Sequence, residues 1–217
     1  MTPANSREVI LTRIREAQKY KPVKLPPEPD RLSNSYKEPA LPLYQCFVNE
    51  LEAVNGQCML VQTEEEAISK GATMIEEEQI SSLFCRDTEI QNLFQAQNVA
   101  FRSDPSDFND MQAGVTRCEY LIARTGSVMV SSAHLSGRQM NVFPPIHIVL
   151  AKESQLVPYL EDAYIAMEAK YGMHLPSMIS LITGPSRTAD IEKTLVLGAH
   201  GPKKLWVILV KDKTATL

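Results

Sequence analysis

Long apolar runs and cofactor-binding motifs are both missing from this sequence. No stretch of apolar residues approaches the roughly 20 that a membrane-spanning helix needs, so we expect no membrane insertion. The phosphate-binding patterns G-x-G-x-x-G and G-x-x-x-x-G-K-[ST] do not occur, and neither does the nucleophile elbow G-x-S-x-G. The sequence therefore offers no support for dinucleotide, P-loop or serine-hydrolase chemistry, and we expect the chain to carry no cofactor.

Cysteine is scarce, and its spacing does not suit a metal site. The cysteines lie far apart and form no C-x-x-C pair: Cys46, Cys58, Cys85 and Cys118. Iron–sulfur and structural zinc sites use clustered cysteines, so neither is predicted. His134, His147 and His174 lack the spacing of metal ligands, and the apolar surroundings of His147 favour a core histidine. We expect free thiols in a reducing cytoplasm and no bound metal.

The composition is that of an ordinary globular protein with a slight acidic excess. Hydrophobic residues make up 44% and charged residues 22% of the 217, with a formal net charge of -4. Nucleic-acid binding relies on a positive field, so we expect no nucleic-acid partner. A chain of this length favours one main domain plus an appendage.

The appendage is predicted at the N-terminus, over residues 1–42. Apolar residues recur every three or four positions from Ser6 to Lys19, among basic residues, which indicates an amphipathic helix and not a signal peptide. The stretch that follows is rich in proline: Pro22, Pro26, Pro27, Pro29, Pro39 and Pro42. Proline has no backbone N–H, so this stretch is predicted to be an extended arm. The main domain would then cover residues 43–217.

The first part of the main domain alternates between helix and strand patterns. The predicted order is a helix from Leu43 to Val54, a strand Cys58–Val61, a helix begun by Thr63 and ended by Gly71, a strand Ala72–Ile75, a helix Glu89–Gln97 and a strand Val99–Phe101. Thr63 and Glu66 have the spacing of a capping box. Such alternation predicts a layered α/β fold with a mainly parallel sheet.

The second part continues the pattern after an interruption. Two apolar runs, Tyr120–Ala123 and Val128–Val130, flank a turn and predict a hairpin. The further predicted elements are a strand Ile146–Ala151, a helix from Ser154 to Gly172, a strand Met178–Ile182, a helix reaching about Leu197 and a strand Leu205–Val210.

The segment after Ile182 is the most informative part of the chain for function. If Gly184 ends a strand of a parallel sheet, its lack of a side chain lets the backbone approach a ligand. Ser186 and Thr188 at the start of the predicted helix could then hold an anion with the help of Arg187. The alternative is that Ser186 or Thr188 only caps this helix and that Arg187 is solvated.

Three other places supply candidate ligand-binding residues. His200 and Gly201 lie in a glycine-bracketed loop, where His200 could bind an anion, transfer a proton or merely cap a helix end. The turn Thr125-Gly126-Ser127 is either a ligand contact or a plain hairpin turn, and Arg138 either binds a carboxylate or is surface charge. We predict that Ser186, Arg187, Thr188 and His200 converge with Thr125 and Ser127 on one anion-binding cleft.

These motifs together resemble a known family. Ile182 to Glu192, which includes Gly184, Ser186, Arg187, Thr188 and Asp190, is similar to the characteristic segment of the LUD-domain family of lactate-utilisation proteins. Gly198 to Pro202, Ala113 to Thr116 and Ala123 to Ser127 match the family in order and spacing. The resemblance covers Leu43 to the C-terminus, and it adds Asp190 to the candidate ligand-binding residues.

The resemblance implies a fold of the NagB/RpiA/CoA-transferase type and a role in oxidising lactate to pyruvate. It also implies iron–sulfur partner subunits, which would carry the electrons because this chain has no cluster motif. The resemblance also implies a glutamate at the position where this chain has Arg124, so we assign no acyl-transfer chemistry. Two functions stay open: a non-redox, anion-binding or regulatory subunit, or an independent enzyme for a sugar-phosphate-, folate- or CoA-like substrate. Association as a homo-oligomer is also open.

Overall fold

The computed structural model describes residues 6–19, 41–189, 195–197 and 200–212. The chain forms two units, Met1–Lys37 and Glu38–Leu217. In the first unit the helix α1 covers Ser6–Lys19, the predicted bounds. Its apolar side chains Val9, Ile10 and Ile14 are exposed. No helix in the described ranges is long and apolar enough to cross a membrane.

The centre of the second unit is a five-stranded sheet in which every neighbouring pair is parallel. Its strands, in spatial order, are β1 (Gln57–Val61), β11 (Lys204–Val210), β6 (Ile146–Lys152), β3 (Ala113–Arg117) and β2 (Leu83–Cys85). Val61 lies beside Val210, and Val210 lies beside Lys152, so three strands end at the same level. This sheet confirms the predicted α/β class.

Both faces of this sheet are covered, as all-parallel sheets require. Along β11, Trp206, Ile208 and Val210 pack towards α3 (Glu64–Glu77) and α4 (Thr88–Ala96), whereas Leu205, Val207 and Leu209 pack towards α2 (Leu43–Ala53). Ile68 and Phe94 fill the first side, and Phe47 and Leu51 fill the second. The alternation follows from the period of two of a strand.

A second sheet, of four strands, packs on the same face of the five-stranded sheet as α2. Its order is β7 (Leu156–Val157), β4 (Tyr120–Ile122), β5 (Ser127–Ser131) and β8 (Ile179–Ile182). β5 is antiparallel to both β4 and β8, so the predicted hairpin is confirmed. The strand before Gly184 therefore lies in this mixed sheet. The prediction of an anion site after Gly184 assumed that this strand belongs to the parallel sheet.

Two of the short predicted elements in the first part are wrong. Helix α3 continues through Gly71 to Glu77, so Ala72–Ile75 is helical and not a strand. Gly71 is buried in this helix, and a Cβ there would make an ordinary van der Waals contact, 3.5 Å from Ile208 Cδ1. Val99–Phe101 is not a strand either, although Arg102 forms a single bridge with Phe84. The Thr63 cap of α3 is confirmed by a 3.1 Å hydrogen bond from Glu66 N.

The helices predicted in the last third also differ from the structure. The helix predicted from Ser154 begins later, as α5 (Leu160–Tyr171), because a 3-10 turn and β7 come first. Its predicted end at Gly172 is confirmed. Where a helix to Leu197 was predicted, β9 (Arg187–Ala189) pairs antiparallel with β10 (Leu195–Leu197). Residues 190–194 and 198–199 lie outside the described residues.

Candidate functional site

Hydroxyl groups join the β4–β5 turn to the end of β8. Ser127 Oγ lies 2.8 Å from Thr125 Oγ1 and 2.8 Å from Thr183 Oγ1. Thr183 was not among the predicted site residues, since it precedes the glycine on which the motif centres. Ser127 is 3% exposed, whereas Thr125 and Thr183 are exposed, so this chain of hydroxyls runs from a buried serine to the surface.

The two glycines of this region face the backbone at the end of α2. Gly126 has φ +59°, and a Cβ there would lie 2.3 Å from Leu51 N. Gly184 has φ +77°, and a Cβ there would lie 2.5 Å from Val54 O. Close backbone approach requires glycine at both positions, as predicted. The group that approaches is a helix of the same chain.

The Gly184 loop is also bound to α2 and to the loop before β11. Arg187 Nη2 donates a hydrogen bond to Val54 O, at the carboxyl end of α2. Ser186 N donates to Pro202 O at 2.8 Å, and a Cβ on Gly201 would lie 3.0 Å from Ser186 Cβ. Arg187 is itself exposed, as the alternative interpretation of a solvated side chain expects, and it makes this contact from the surface.

The structure thus brings most of the predicted residues to one region, around the carboxyl end of α2. They are Thr125, Gly126, Ser127, Gly184, Ser186, Arg187 and Gly201. Thr188 lies next to them in β9, and His200 is exposed in the loop before β11. Arg138 instead donates to Ser177 Oγ at 2.8 Å. Asp190 lies outside the described residues.

This region faces the amino ends of the parallel strands. Val54 precedes β1, Pro202 precedes β11, and Lys203 N donates to Pro145 O just before β6. The carboxyl end of a helix carries a partial negative charge, which disfavours the binding of an anion. At Val54 the guanidinium of Arg187 offsets this charge. The anion-binding cleft therefore stays a prediction. Arg187, which was predicted to bind the anion, already contacts the backbone at the end of α2.

A cleft of about 270 Å³ lies at the opposite, carboxyl ends of β1, β6 and β11. Lys152 Nζ and Glu64 Oε1 are 3.6 Å apart at its wall, and Ser154 Oγ donates to Asp212 Oδ1 at 3.1 Å. Arg117 contacts Glu64 from the side of β3. Ligands of parallel α/β sheets bind at such ends. Because the lining combines carboxylates with ammonium groups, it suits a ligand that both donates and accepts hydrogen bonds.

A buried carboxylate, Glu119, was missed by the sequence analysis. Its side chain is 0% exposed and contacts Ser131, His134, Lys170 and Tyr171. His134 had been set aside because it lacks the spacing of a metal ligand. No local pattern identifies this cluster, because Lys170 is 51 positions from Glu119 along the chain.

His147 has the core environment that the sequence predicts, and burial also affects three of the four cysteines. His147 is fully buried, with Nε2 2.8 Å from Thr116 Oγ1, and burial lowers the pKa of its imidazole to about 4. Burial raises the pKa of the Cys58, Cys85 and Cys118 thiols to about 12. All four cysteines are free.

The chain is similar to proteins of known family. The family model for the LUD domain matches residues 44–210. "Lactate utilization protein C" of Halalkalibacterium halodurans is 37% identical over 102 residues, which is 46% of this chain and 44% of that protein. The Bacillus subtilis protein of the same name is 39% identical over 102 residues, 46% of this chain and 42% of that protein. These matches span less than half the length of the relatives.

A solved structure is also similar in fold. It is the crystal structure of a DUF162 family protein from Deinococcus radiodurans, with a TM-score of 0.56 and 19% sequence identity. The similarity covers 77% of this chain and 96% of that one. At this identity it supports the α/β fold alone. With the LUD-domain match over residues 44–210, the conclusion is that this chain belongs to the LUD-domain family.

Proposed function

We propose that this chain functions in lactate utilisation in the cytoplasm, as a non-redox component that binds a small anion and associates with iron–sulfur partner subunits. The observation that carries the proposal is the 37% and 39% identity to two proteins named lactate utilization protein C. Both matches extend over 102 residues, well beyond the length of one motif.

The thiol chemistry supports a non-redox role. Iron–sulfur clusters are bound by thiolates, and a thiol whose pKa is about 12 stays protonated at neutral pH. Burial produces this pKa at Cys58, Cys85 and Cys118. Cluster binding by these cysteines would require their deprotonation inside an apolar core. Electron transfer is therefore assigned to partner subunits.

Deletion of the gene tests the proposal directly. A strain without this chain is expected to lose growth on L-lactate and to keep growth on pyruvate, because pyruvate enters metabolism after the oxidation step. Expression of the chain from a plasmid should restore growth on lactate. Equal growth of the deletion strain on both carbon sources would contradict the proposal.

The association with iron–sulfur partners is tested separately. The tagged chain, purified from lactate-grown cells under anaerobic conditions, should bring down iron and acid-labile sulfide with the partner subunits. The same chain expressed alone in a distant host should carry neither. Recovery of the chain from lactate-grown cells without iron would contradict this part of the proposal.

An independent enzyme is the second candidate function. The cleft at the carboxyl ends of β1, β6 and β11 favours it, because Lys152, Lys211, Glu64 and Asp212 supply both donors and acceptors. Sugar phosphates, folates and CoA esters, added singly to the purified chain, should then raise its melting temperature. In that case Lys152→Ala should abolish the increase, and the deletion strain should still grow on lactate.

A further inference from the structure

The strand β8 forms one edge of the four-stranded sheet. In the described part of the chain it pairs with β5 on one side and with no strand on the other. Ser132 N donates to Met178 O at 3.0 Å, and in an antiparallel ladder the residues that bond to the neighbouring strand alternate. Met178 and Ser180 therefore bond towards β5, whereas the N–H and C=O groups of Ile179 and Leu181 point to the open side.

This edge lacks the features that usually prevent a sheet from pairing with another chain. Edge strands of natural proteins commonly carry a charged side chain, a proline or a bulge, each of which hinders the approach of a further strand. Residues 178–183, with the sequence Met-Ile-Ser-Leu-Ile-Thr, contain no charge and no proline. Strands β5 and β8 pair residue for residue over Ile179–Ile182, so β8 has no bulge there. The open side of β8 is therefore suited to the addition of a strand.

Apolar side chains are exposed along the same edge. Leu181 is 41% exposed although it lies inside a strand. Ile179, on the same face of β8, packs on the cluster beneath α5, but α5 itself packs on β4 and β7, the two strands farthest from β8. Met173 and Leu175, in the loop that leads into β8, are exposed as well. Unpaired backbone groups and exposed apolar surface thus coincide at this edge.

We propose that two copies of this chain associate through β8, by antiparallel pairing of the two strands about a two-fold axis at Ser180. Ile179 of each copy then lies opposite Leu181 of the other. Both are hydrogen-bonded pairs, so the outward N–H and C=O groups of Ile179 and Leu181 are satisfied in both copies. The same pairing brings the apolar side chains of Ile179 and Leu181 into contact across the axis. The two four-stranded sheets become one continuous sheet.

A second copy is the partner that this strand fits, because the strand is complementary to itself. A two-fold axis places the segment against its own reverse, so each residue must tolerate the symmetry-related residue that it meets. The uncharged segment 178–183 brings no like charges opposite one another. Ser180 lies opposite Ser180 of the other copy, and its small side chain leaves room for the strands to approach.

The mass of the full chain in solution tests the proposal. Light scattering during size-exclusion chromatography should give twice 24.2 kDa for the wild type. Leu181→Lys places a charge at the open edge, so its mass should fall to 24.2 kDa. Ile165→Lys is the matched control, since it makes the same kind of change at an exposed apolar residue of α5, and it should keep the mass of the wild type. A monomeric wild type, a dimeric Leu181→Lys variant or an equally dissociated Ile165→Lys variant would overturn the proposal.

A disulfide tests the register and does not depend on the stability of the lysine variant. Residues in a non-hydrogen-bonded antiparallel pair have Cα atoms about 4.5 Å apart, so Ser180→Cys should form a covalent dimer on mild oxidation. The wild type, with its four free cysteines, gives the background. Ser177→Cys is the control, because its two copies would be about 20 Å apart along the paired strands and should stay unlinked. No cross-link in Ser180→Cys, or equal cross-linking of the two variants, would refute pairing at Ser180.

Discussion

The region around the end of α2 and the cluster around Glu119 use polar residues in opposite ways. At the end of α2, short hydroxyls and glycines let backbone segments of one chain meet, as Gly126 and Leu51 do. Around Glu119, the side chains of Lys170, Tyr171, Ser131 and His134 surround one buried carboxylate. The first region has a sequence motif whose arginine, Arg187, contacts backbone. The second region has a buried charge and no motif.

The difference shows that a glycine-hydroxyl motif is ambiguous. Glycine permits close approach of a ligand or of another backbone segment. At Gly126 and Gly184 the group that approaches is the backbone at the end of α2. A buried charge is less ambiguous, because removing a charge from water is costly and the protein must provide its hydrogen-bond partners. The experiments below separate a packing role from an electrostatic one in the two regions.

The largest effect is expected from Gly126→Ala. A Cβ at this position would lie 2.3 Å from Leu51 N, and the φ of +59° is itself unfavourable for alanine. The free energy of unfolding in urea should fall by about 4 kcal/mol as α2 is displaced. Gly137→Ala is the matched control. Its φ is +63° with nothing within 4 Å of the added Cβ, so it should cost about 1 kcal/mol. Equal losses in the two variants would contradict the packing role of Gly126.

Glu119→Gln should have the next largest effect. It removes the charge that Lys170 and His134 face while keeping the size of the side chain. The carboxylate is buried but Lys170 is half exposed, so water compensates part of the lost charge and the free energy of unfolding should fall by about 2 kcal/mol. Glu77→Gln, an exposed glutamate on α3, should change it by less than about 0.5 kcal/mol. A loss at Glu119 no larger than at Glu77 would contradict the electrostatic role.

The loss at Glu119 should depend on pH, whereas the loss at Gly126 should not. The pKa of Glu119 is lowered in the folded chain, and an unfolded glutamate has a pKa of about 4.3. The unfolded state therefore binds this proton first as the pH falls, and the stability that Glu119 contributes is full above about pH 5. The difference between wild type and Glu119→Gln should shrink steadily below about pH 4. Urea unfolding across this range measures it, and a constant difference would refute the assignment.

Arg187→Ala should have the smallest effect on folding. It removes the hydrogen bond to Val54 O, whose loss should lower the free energy of unfolding by about 1 kcal/mol. If the predicted anion-binding cleft exists, the same variant should also weaken a phosphate- or carboxylate-bearing ligand by about 1.5–3 kcal/mol. Melting curves and calorimetric titrations on this variant separate the roles. Lost stability with unchanged affinity would assign Arg187 to the end of α2 alone.

Long periodic segments of the fold could be predicted from the sequence. Helix α1 has the predicted bounds, and β6 and β11 differ from prediction by a residue at one end. Short segments were harder. Gly71 was interpreted as a helix end, but α3 continues through it to Glu77. The span after Gly184 looks helical from its hydroxyls, although Arg187–Ala189 pairs as a strand with Leu195–Leu197.

Only part of the candidate site could be predicted from the sequence. Its glycine and hydroxyl residues follow one another in short motifs, so Thr125, Ser127 and Ser186 could be predicted to share a region. Which elements they meet was not predictable, because the contact of Gly126 with α2 joins positions far apart in the chain. The Glu119 cluster left no local pattern at all.

The sequence alone determined the α/β class, the long elements and the family, because periodicity, caps and motifs are local properties of the chain. Only the tertiary structure decided that β8 belongs to the mixed sheet, that Gly126 and Gly184 face α2, and that Glu119 meets Lys170 and Tyr171. The physical reason is that pairing of strands and burial of charge depend on which distant segments become neighbours, and that choice is made by packing of the whole core.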